Sequence, residues 1–148
     1  MRAVVQRVLS ASVTIDGTMV SEIGHGLLVY LGVTHTDGQE QMLYMRDKIL
    51  NLRIFEDENG VPNRSLLDVG GEVLLVSQFT LYGDARKGRR PGYTAAARPE
   101  IAKPLYEQLA SALAEQTVVK TGVFQADMKI ASVNDGPFTI LLDSEKGF

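Results

Sequence analysis

The sequence predicts one α/β domain of the mixed α+β kind, in which mixed β-sheets carry two main helices. A chain of 148 residues with 45% hydrophobic content has the size of one compact domain, and we treat residues 1–148 as that domain. Two short, continuous apolar runs at residues 26–33 and 73–76 are typical of strands covered on both faces. Two longer segments repeat their apolar residues at helical spacing, which indicates helices packed on the sheet.

The first strands are predicted by alternation. Apolar and polar residues alternate over residues 3–9 and 11–15, and Asp16-Gly17 is a turn signal before residues 19–23. An antiparallel opening is therefore expected. Residues 53–55 resume as strand, and the acidic turn that follows is interpreted as a solvated loop.

The two helices have different start signals. Thr36 and Gln39 form a possible capping box before an amphipathic helix that reaches residue 52. The second helix is expected from about Pro99 to Gln116, and Pro104 lies early enough to be tolerated. Its apolar face consists of Ile101, Leu105, Leu109 and Leu113.

Three strand-like segments close the chain, at residues 118–124, 129–133 and 138–142. The sequence Asn-Asp-Gly-Pro at residues 134–137 is rich in turn residues. We therefore expect a turn between the last two strands.

The composition excludes several functions. The chain has no cysteine, so it has no disulfide, thiolate nucleophile or cysteine-ligated metal. The first residues lack the apolar core of a signal peptide, and no apolar run approaches the ~18 residues of a membrane span. The glycine and histidine patterns of nucleotide, dinucleotide and zinc sites are also missing. We expect a cytoplasmic protein with no membrane partner, no cofactor and no metal.

The net charge of −3 conceals a local basic loop. Between residues 83 and 98 only Asp84 is acidic, and the net charge of this stretch is +4. The cations are Arg86, Lys87, Arg89, Arg90 and Arg98. Such a cluster is compatible with a polyanion partner, and equally with a solvated loop.

Polar side chains interrupt the second buried strand at residues 77–81, Ser-Gln-Phe-Thr-Leu. At a strand end, backbone N–H groups and the hydroxyls of Ser77 and Thr80 can face a cleft, although they can also be purely structural. No catalytic triad is expected, because His25 and His35 are interpreted as surface residues at strand ends. An enzyme here would depend on preorganised N–H donors and an activated substrate.

The chain resembles the D-aminoacyl-tRNA deacylase family over essentially its whole length. The resemblance lies in Met-Arg-Ala-Val-Val-Gln-Arg-Val at residues 1–8, residues 77–81, Gly-Arg-Arg-Pro at 88–91 and Asn-Asp-Gly-Pro-Phe-Thr at 134–139. The chain departs from the family at Gly92-Tyr93, where Ser-Phe is expected, and at Gln125, where glycine is usual. The second departure bears on the pocket wall for the terminal adenosine.

The resemblance implies a symmetric homodimer that hydrolyses the ester between tRNA and a D-amino acid or glycine. It implies a catalytic stretch of Ser77, Gln78, Phe79 and Thr80, in which the N–H groups of Phe79 and Thr80 face the reacting carbonyl. Thr80 is expected to position the substrate, because nothing near it in sequence would activate its hydroxyl as a nucleophile.

The resemblance also implies a cis peptide bond at Gly136-Pro137. Carbonyls of this pair would enter the partner subunit's site and exclude an L-substituent. The further substrate-binding residues implied are Asn134, Phe124 and Met128. tRNA phosphates would bind Arg86, Lys87, Arg89 and Arg90.

Two alternatives remain open at this level. One is a nucleic-acid-binding module whose basic loop holds an oligonucleotide and whose polar strand end is only structural. The other is a small-ester hydrolase that uses Thr80 as its nucleophile. DNA is not expected as a partner in our preferred interpretation.

Overall fold

A computed structural model describes residues 1–148 and confirms the mixed α+β class. The two expected main helices are present, together with a short third helix and a 3₁₀ turn that the sequence did not predict. The elements in chain order are β1 (Arg2–Ile15), β2 (Thr18–Ile23), β3 (Gly26–Gly32), α1 (Gln39–Asn51), β4 (Phe55–Glu56), β5 (Pro62–Arg64), α2 (Leu66–Val69), β6 (Glu72–Ser77), the 3₁₀ turn (Phe79–Tyr82), α3 (Pro99–Ala114), β7 (Val119–Thr121) and β8 (Lys129–Asp143).

The main sheet has six strands and is organised around β1. One edge of β1 pairs with β8 along almost its whole length, and the other edge pairs first with β3 and then with β2. These pairings are antiparallel, whereas β3–β6 and β6–β7 are parallel. The Ser21 hydroxyl donates a hydrogen bond to the Thr121 carbonyl, which joins β2 to β7. The sheet therefore curls until its two ends meet.

Both faces of the central strands are buried, which explains their continuous apolar sequences. Leu27 and Val29 face the larger core cluster, into which α1 and α3 pack. Leu28 and Leu74 face the opposite way, into a smaller cluster inside the curl of the sheet. Because alternate residues point to opposite faces, a strand covered on both sides must be apolar throughout.

The helix boundaries differ from expectation in small ways. The predicted Thr36–Gln39 capping box is wrong: α1 follows Gly38, whose N–H donates to the Gln41 side-chain oxygen at 2.9 Å. Helix α3 ends at Ala114 instead of Gln116, and Ile101 is 38% exposed, while the other three residues of its predicted apolar face are buried. No helix in the structure has the length and apolarity needed to cross a bilayer.

The prediction that a strand runs through residues 77–81 is wrong beyond Ser77. Residues Phe79–Tyr82 form a 3₁₀ turn instead. This turn packs against the backbone of Gly32, where an added Cβ would lie 3.0 Å from the Leu81 Cβ and 3.1 Å from the Gln78 carbonyl oxygen. The absence of a side chain at Gly32 is what lets the turn fold back onto β3.

The turn predicted at residues 134–137 is also wrong, because β8 is continuous from Lys129 to Asp143. Its register changes there instead: Gln6 pairs with Thr139 but Val8 pairs with Asn134. Two steps along β1 thus correspond to five along β8, so the extra residues form a bulge. The Gly136-Pro137 peptide bond within this bulge is cis, as the resemblance implies.

Candidate active site

A cavity of about 640 Å³ opens where β6 ends. It lies between the 3₁₀ turn, the loop before α3, the first turn of α3 and the segment that precedes β8. Of its 18 lining residues, 13 are hydrophobic. A largely apolar wall with a few polar groups is the usual composition of a small-molecule site.

Five of the predicted site residues line this cavity: Ser77, Gln78, Phe79, Phe124 and Met128. Thr80 is exposed beside it and is not part of the wall. Asn134, Gly136 and Pro137 are not among the lining residues either. One chain therefore brings Ser77, Gln78 and Phe79 together with Phe124 and Met128, but it does not bring the Gly136-Pro137 pair to them.

The 3₁₀ turn presents unpaired backbone donors at the end of β6. Its first internal hydrogen bond runs from the Leu81 N–H to the Gln78 carbonyl at 3.2 Å. The N–H groups of Phe79 and Thr80 precede that bond and have no acceptor within the turn. Two adjacent free N–H groups at a cavity edge are suited to binding a carbonyl oxygen that becomes negatively charged.

No general base contacts the Thr80 hydroxyl. Its oxygen accepts a hydrogen bond from the Gln78 side-chain amide at 2.5 Å. Both histidines are exposed and engaged elsewhere: a ring nitrogen of His35 lies 2.8 Å from the Thr94 carbonyl, and His25 packs edge-on against Phe55. The arrangement orients the hydroxyl without activating it as a nucleophile.

Two aromatic pairs form parts of the cavity wall. Phe79 and Tyr93 meet edge-on with ring centres 5.1 Å apart, and Tyr106 lies 5.9 Å from Phe124. The Tyr106 hydroxyl donates to the Leu75 carbonyl at 2.8 Å, and burial raises the pKa of Tyr106 to about 12. This tyrosine is therefore a neutral, fixed part of the wall at physiological pH.

The sequence did not identify Tyr93, Arg98 or Tyr106 as site residues. Tyr93 and Arg98 belong to a loop without periodicity, so nothing local predicts that they face a cavity. Tyr106 lies one residue after Leu105 on the apolar face of α3, where an aromatic residue is more often part of a core.

Gln125 has a backbone conformation that glycine adopts more easily, which agrees with the glycine expected here from the resemblance. Its φ is +66°, in the left-handed region that costs an L-residue roughly 1–2 kcal/mol. Gln125 is also a lining residue of the cavity. The substitution therefore places a strained, polar side chain at the wall where glycine would leave space.

Arg7 anchors the bulge of β8. This buried arginine donates to the Asp135 carbonyl at 3.1 Å and to the Ile54 carbonyl at 2.7 Å. Its guanidinium lies 4.8 Å from the centre of the Phe138 ring. The Asn134 side chain adds two hydrogen bonds across the bulge: its oxygen accepts from the Phe138 N–H, and its amide donates to the Thr139 hydroxyl. The bulge is thereby fixed by contacts within one chain.

The basic loop is closed at its base by pairing between Asp84 and Gly92. Arg86 makes a two-point contact with the Asp84 carboxylate at 2.7 and 2.8 Å, which raises the pKa of Arg86 and lowers that of Asp84. The other three cations between Asp84 and Gly92 have no carboxylate within 4 Å: Lys87, Arg89 and Arg90. Arg86 is thus the one predicted tRNA-binding cation whose charge is already partly neutralised.

Comparisons with known proteins identify the family of this chain. Residues 4–143 match the model of the family described as D-Tyr-tRNA(Tyr) deacylase. The chain is 60% identical over 149 residues to a D-aminoacyl-tRNA deacylase of Clostridioides difficile strain 630, covering 100% of both chains. It is 56% identical over 147 residues to the Thermus aquaticus protein of the same name, covering 99% of this chain and 97% of that one.

Two solved structures share the fold. One is described as c-Myc DNA Unwinding Element Binding Protein and superposes with a TM-score of 0.92 at 43% identity, covering 97% of this chain and 98% of its own. The other is described as a probable eukaryotic D-amino acid tRNA deacylase. It superposes with a TM-score of 0.82 at 18% identity over 95% of this chain and 97% of that one, and shows the fold alone.

The α+β domain has a curled sheet with unpaired N–H donors beside an apolar cavity. Together with these matches, it defines a hydrolase of the deacylase class, whose members cleave aminoacyl-tRNA esters. Within that class, the chain belongs to the D-Tyr-tRNA(Tyr) deacylase family.

Proposed function

We propose that this protein hydrolyses the ester bond between a D-amino acid and the 3′-terminal ribose of tRNA, releasing the free D-amino acid and tRNA. The observation that carries the proposal is the apolar cavity beside the unpaired N–H groups of Phe79 and Thr80. The names of the relatives supply the substrate class. The reaction would occur in the cytoplasm, where tRNA is charged.

The chemistry fits a site without a base or nucleophile. An aminoacyl ester is already activated, and the neighbouring 2′-hydroxyl of the terminal ribose can assist proton transfer. Water adds to the ester carbonyl, the oxyanion accepts hydrogen bonds from the two free N–H groups, and the 3′-oxygen leaves with a proton. No cofactor or metal enters these steps.

The cavity has the size and composition expected for a nucleoside. Its volume of about 640 Å³ lies within the range of roughly 300–1,000 Å³ that is usual for small-molecule sites. Phe79, Tyr93 and Phe124 offer aromatic surfaces against which an adenine ring can stack. We assign the terminal adenosine to this cavity, with the aminoacyl group at the Ser77–Phe79 end.

Selectivity against L-amino acids is assigned to Gly136 and Pro137 of a partner subunit in a symmetric dimer. Within one chain these residues are outside the cavity, so a second copy must supply them if they contact the substrate. Exposed apolar side chains along β1 and β8, including Leu9, Val133 and Leu141, offer a surface for that copy. Rejection by backbone atoms requires no side-chain contact, so many D-amino acids and glycine would be accepted.

The decisive experiment compares D-tyrosyl-tRNA, L-tyrosyl-tRNA and glycyl-tRNA as substrates at equal concentration. We expect rapid loss of the D-tyrosyl and glycyl esters and a rate near the uncatalysed one for the L-tyrosyl ester. Equal rates for the D- and L-esters would overturn the chiral selectivity. Sedimentation of the same sample should give twice the mass of one chain, and a fully active monomer would overturn the dimer.

The same assay separates the two alternatives. A nucleic-acid-binding module would bind uncharged tRNA without cleaving any ester, and one structural relative is named as a DNA-unwinding-element binding protein. Adding duplex DNA in excess should leave deacylation unchanged under our proposal. A small-ester hydrolase would cleave a free D-amino-acid ester as fast as the tRNA ester.

A further inference from the structure

Arg98 is the only charged side chain among the 18 residues that line the active-site cavity. It is exposed, and no carboxylate lies within 4 Å of its guanidinium. Because a guanidinium stays charged at all physiological pH values, the wall carries one permanent, unneutralised positive charge in an otherwise uncharged lining.

The backbone around Arg98 is held from two sides. The Ala97 N–H donates to the Val33 carbonyl at 2.8 Å, which ties the loop to the end of β3. The Arg98 carbonyl accepts from the N–H groups of Ile101 and Ala102 at 3.0 and 2.9 Å, which ties it to the first turn of α3. The backbone from which the Arg98 side chain extends is therefore fixed on the cavity wall.

We propose that Arg98 binds the phosphate on the 5′ side of the terminal adenosine, and thereby fixes which way round the substrate enters the cavity. This inference rests on the proposed function. An aminoacyl-adenosine is uncharged except for the ammonium of its amino acid, and the nearest anion of the substrate is that phosphate. A guanidinium attracts that phosphate through charge-assisted hydrogen bonds, so the phosphate end of the substrate, and not its aminoacyl end, is placed beside Arg98.

The surrounding charges are compatible with this assignment. Pro99 and Ala102 of the first turn of α3 also line the cavity, so the positive end of this helix faces the same space. Glu100 is the one acidic residue of that turn, and it makes no ion pair with Arg98. Arg98 thus remains available to an incoming anion.

The test uses three D-tyrosyl esters that differ only beyond the nucleoside: 2′(3′)-O-D-tyrosyl-adenosine, the same compound with a 5′-phosphate, and D-tyrosyl-tRNA. For Arg98→Gln, kcat/KM should fall about tenfold or more on the two phosphate-bearing substrates, as expected for one charged hydrogen bond. It should be unchanged on the adenosine ester. Arg98→Lys keeps the positive charge but not the paired N–H donors of the guanidinium, so its kcat/KM on these two substrates should fall less.

Lys103→Gln is the matched control, because it removes one positive charge from the same helix at a residue outside this cavity. It should leave all three rates unchanged. An Arg98→Gln protein that loses activity equally on all three esters, or on none, would overturn the inference. The unaltered protein gives a second readout: its preference for the 5′-phosphate compound over the adenosine ester should shrink as salt is added, and a preference that is absent or salt-independent contradicts the proposal.

Failure of this inference differs from failure of the proposed function. If the unaltered protein cleaves D-tyrosyl-tRNA but shows no dependence on the 5′-phosphate, only the role of Arg98 is wrong. If it cleaves none of the three esters, the proposed function itself is wrong, and the inference is overturned with it.

Discussion

The Arg2 guanidinium donates a hydrogen bond to the Leu81 carbonyl oxygen at 3.1 Å and lies 4.6 Å from the centre of the Tyr82 ring. The first residue of β1 thus contacts the same 3₁₀ turn that carries the N–H groups of Phe79 and Thr80. Gly32 supports the same turn from β3. The position of these two N–H groups therefore depends on residues far away in sequence.

Replacing Arg2 with methionine should reduce kcat more than it raises KM. The apolar cavity to which we assign the adenosine stays intact, whereas the turn loses a charged hydrogen bond of roughly 1.5–3 kcal/mol and its N–H groups shift. Steady-state kinetics on D-tyrosyl-tRNA measure the split between kcat and KM. Arg2→Lys should recover part of kcat.

Arg46→Met is the control for Arg2, because Arg46 pairs with the exposed Asp47 on the surface of α1 and touches no part of the turn. It should leave kcat and KM unchanged. A loss of folding stability in the Arg2 variant without any change in kcat would contradict the positioning role.

Replacing Gln125 with glycine should stabilise the fold by up to about 1 kcal/mol. Glycine adopts the left-handed conformation of this position without strain, although its greater freedom in the unfolded chain offsets part of the gain. Chemical denaturation measures the difference. Gln116→Gly, at an exposed position without a positive φ, should destabilise, and the same sign for both variants would refute the explanation.

Replacing Gly136 with alanine should distort the bulge of β8 and reduce the discrimination between D- and L-esters. Gly136 has a φ of +132°, which L-residues rarely adopt, and an added Cβ would lie 3.2 Å from the Arg7 Nη2 atom and 3.1 Å from the Phe138 nitrogen. The ratio of D- to L-tyrosyl-tRNA hydrolysis measures the effect.

Gly92→Ala is the control for Gly136, because nothing lies within 4 Å of the added Cβ there and its φ is not positive. It should leave the ratio unchanged. A Gly136→Ala protein with unaltered discrimination would exclude the bulge from substrate selection.

Neutralising Arg89 and Arg90 together should weaken tRNA binding and flatten its salt dependence. Each phosphate contact that is removed lowers the slope of log K against log salt by somewhat less than one. Unlike Arg86, these two residues have no carboxylate partner within the protein. Filter binding at several salt concentrations measures the slope, and an unchanged slope would contradict the assignment.

The sequence predicted those features that depend on local periodicity. β3 and β6 were recognised because strands buried on both faces must be apolar throughout. The 3₁₀ turn was missed because Thr80 and its neighbours favour strand locally, and only the contact with Gly32 shows why the chain turns. The sequence predicts a turn in place of the bulge for a similar reason: turn residues indicate that a chain departs from regular pairing, but not that β1 continues alongside it.

For the site, the sequence identified the motifs at residues 77–81 and 134–139, but not the loop before α3 that lines the same cavity as the first of them. Tyr93 and Arg98 have no pattern of their own, and their position follows from the bond between Ala97 and Val33. Nor could the sequence show that Gly136 and Pro137 are outside the cavity of their own chain. That separation follows from the pairing of β8 with β1, on the opposite side of β1 from β3 and β6.

Thr80→Ala should keep measurable activity, with a loss of about tenfold to a hundredfold on D-tyrosyl-tRNA. The Thr80 hydroxyl accepts from the Gln78 amide and has no base beside it, so its removal loosens the turn but leaves the backbone N–H donors in place. Loss of a covalent nucleophile would instead reduce kcat by several orders of magnitude. Thr80→Ser should be close to the unaltered protein. Mass spectrometry of the quenched reaction should show no acyl-enzyme, and a trapped Thr80 ester would refute this role. A substrate that lacks the terminal 2′-hydroxyl should be cleaved much more slowly, and full activity towards it would show that the protein, and not its substrate, supplies the proton transfer.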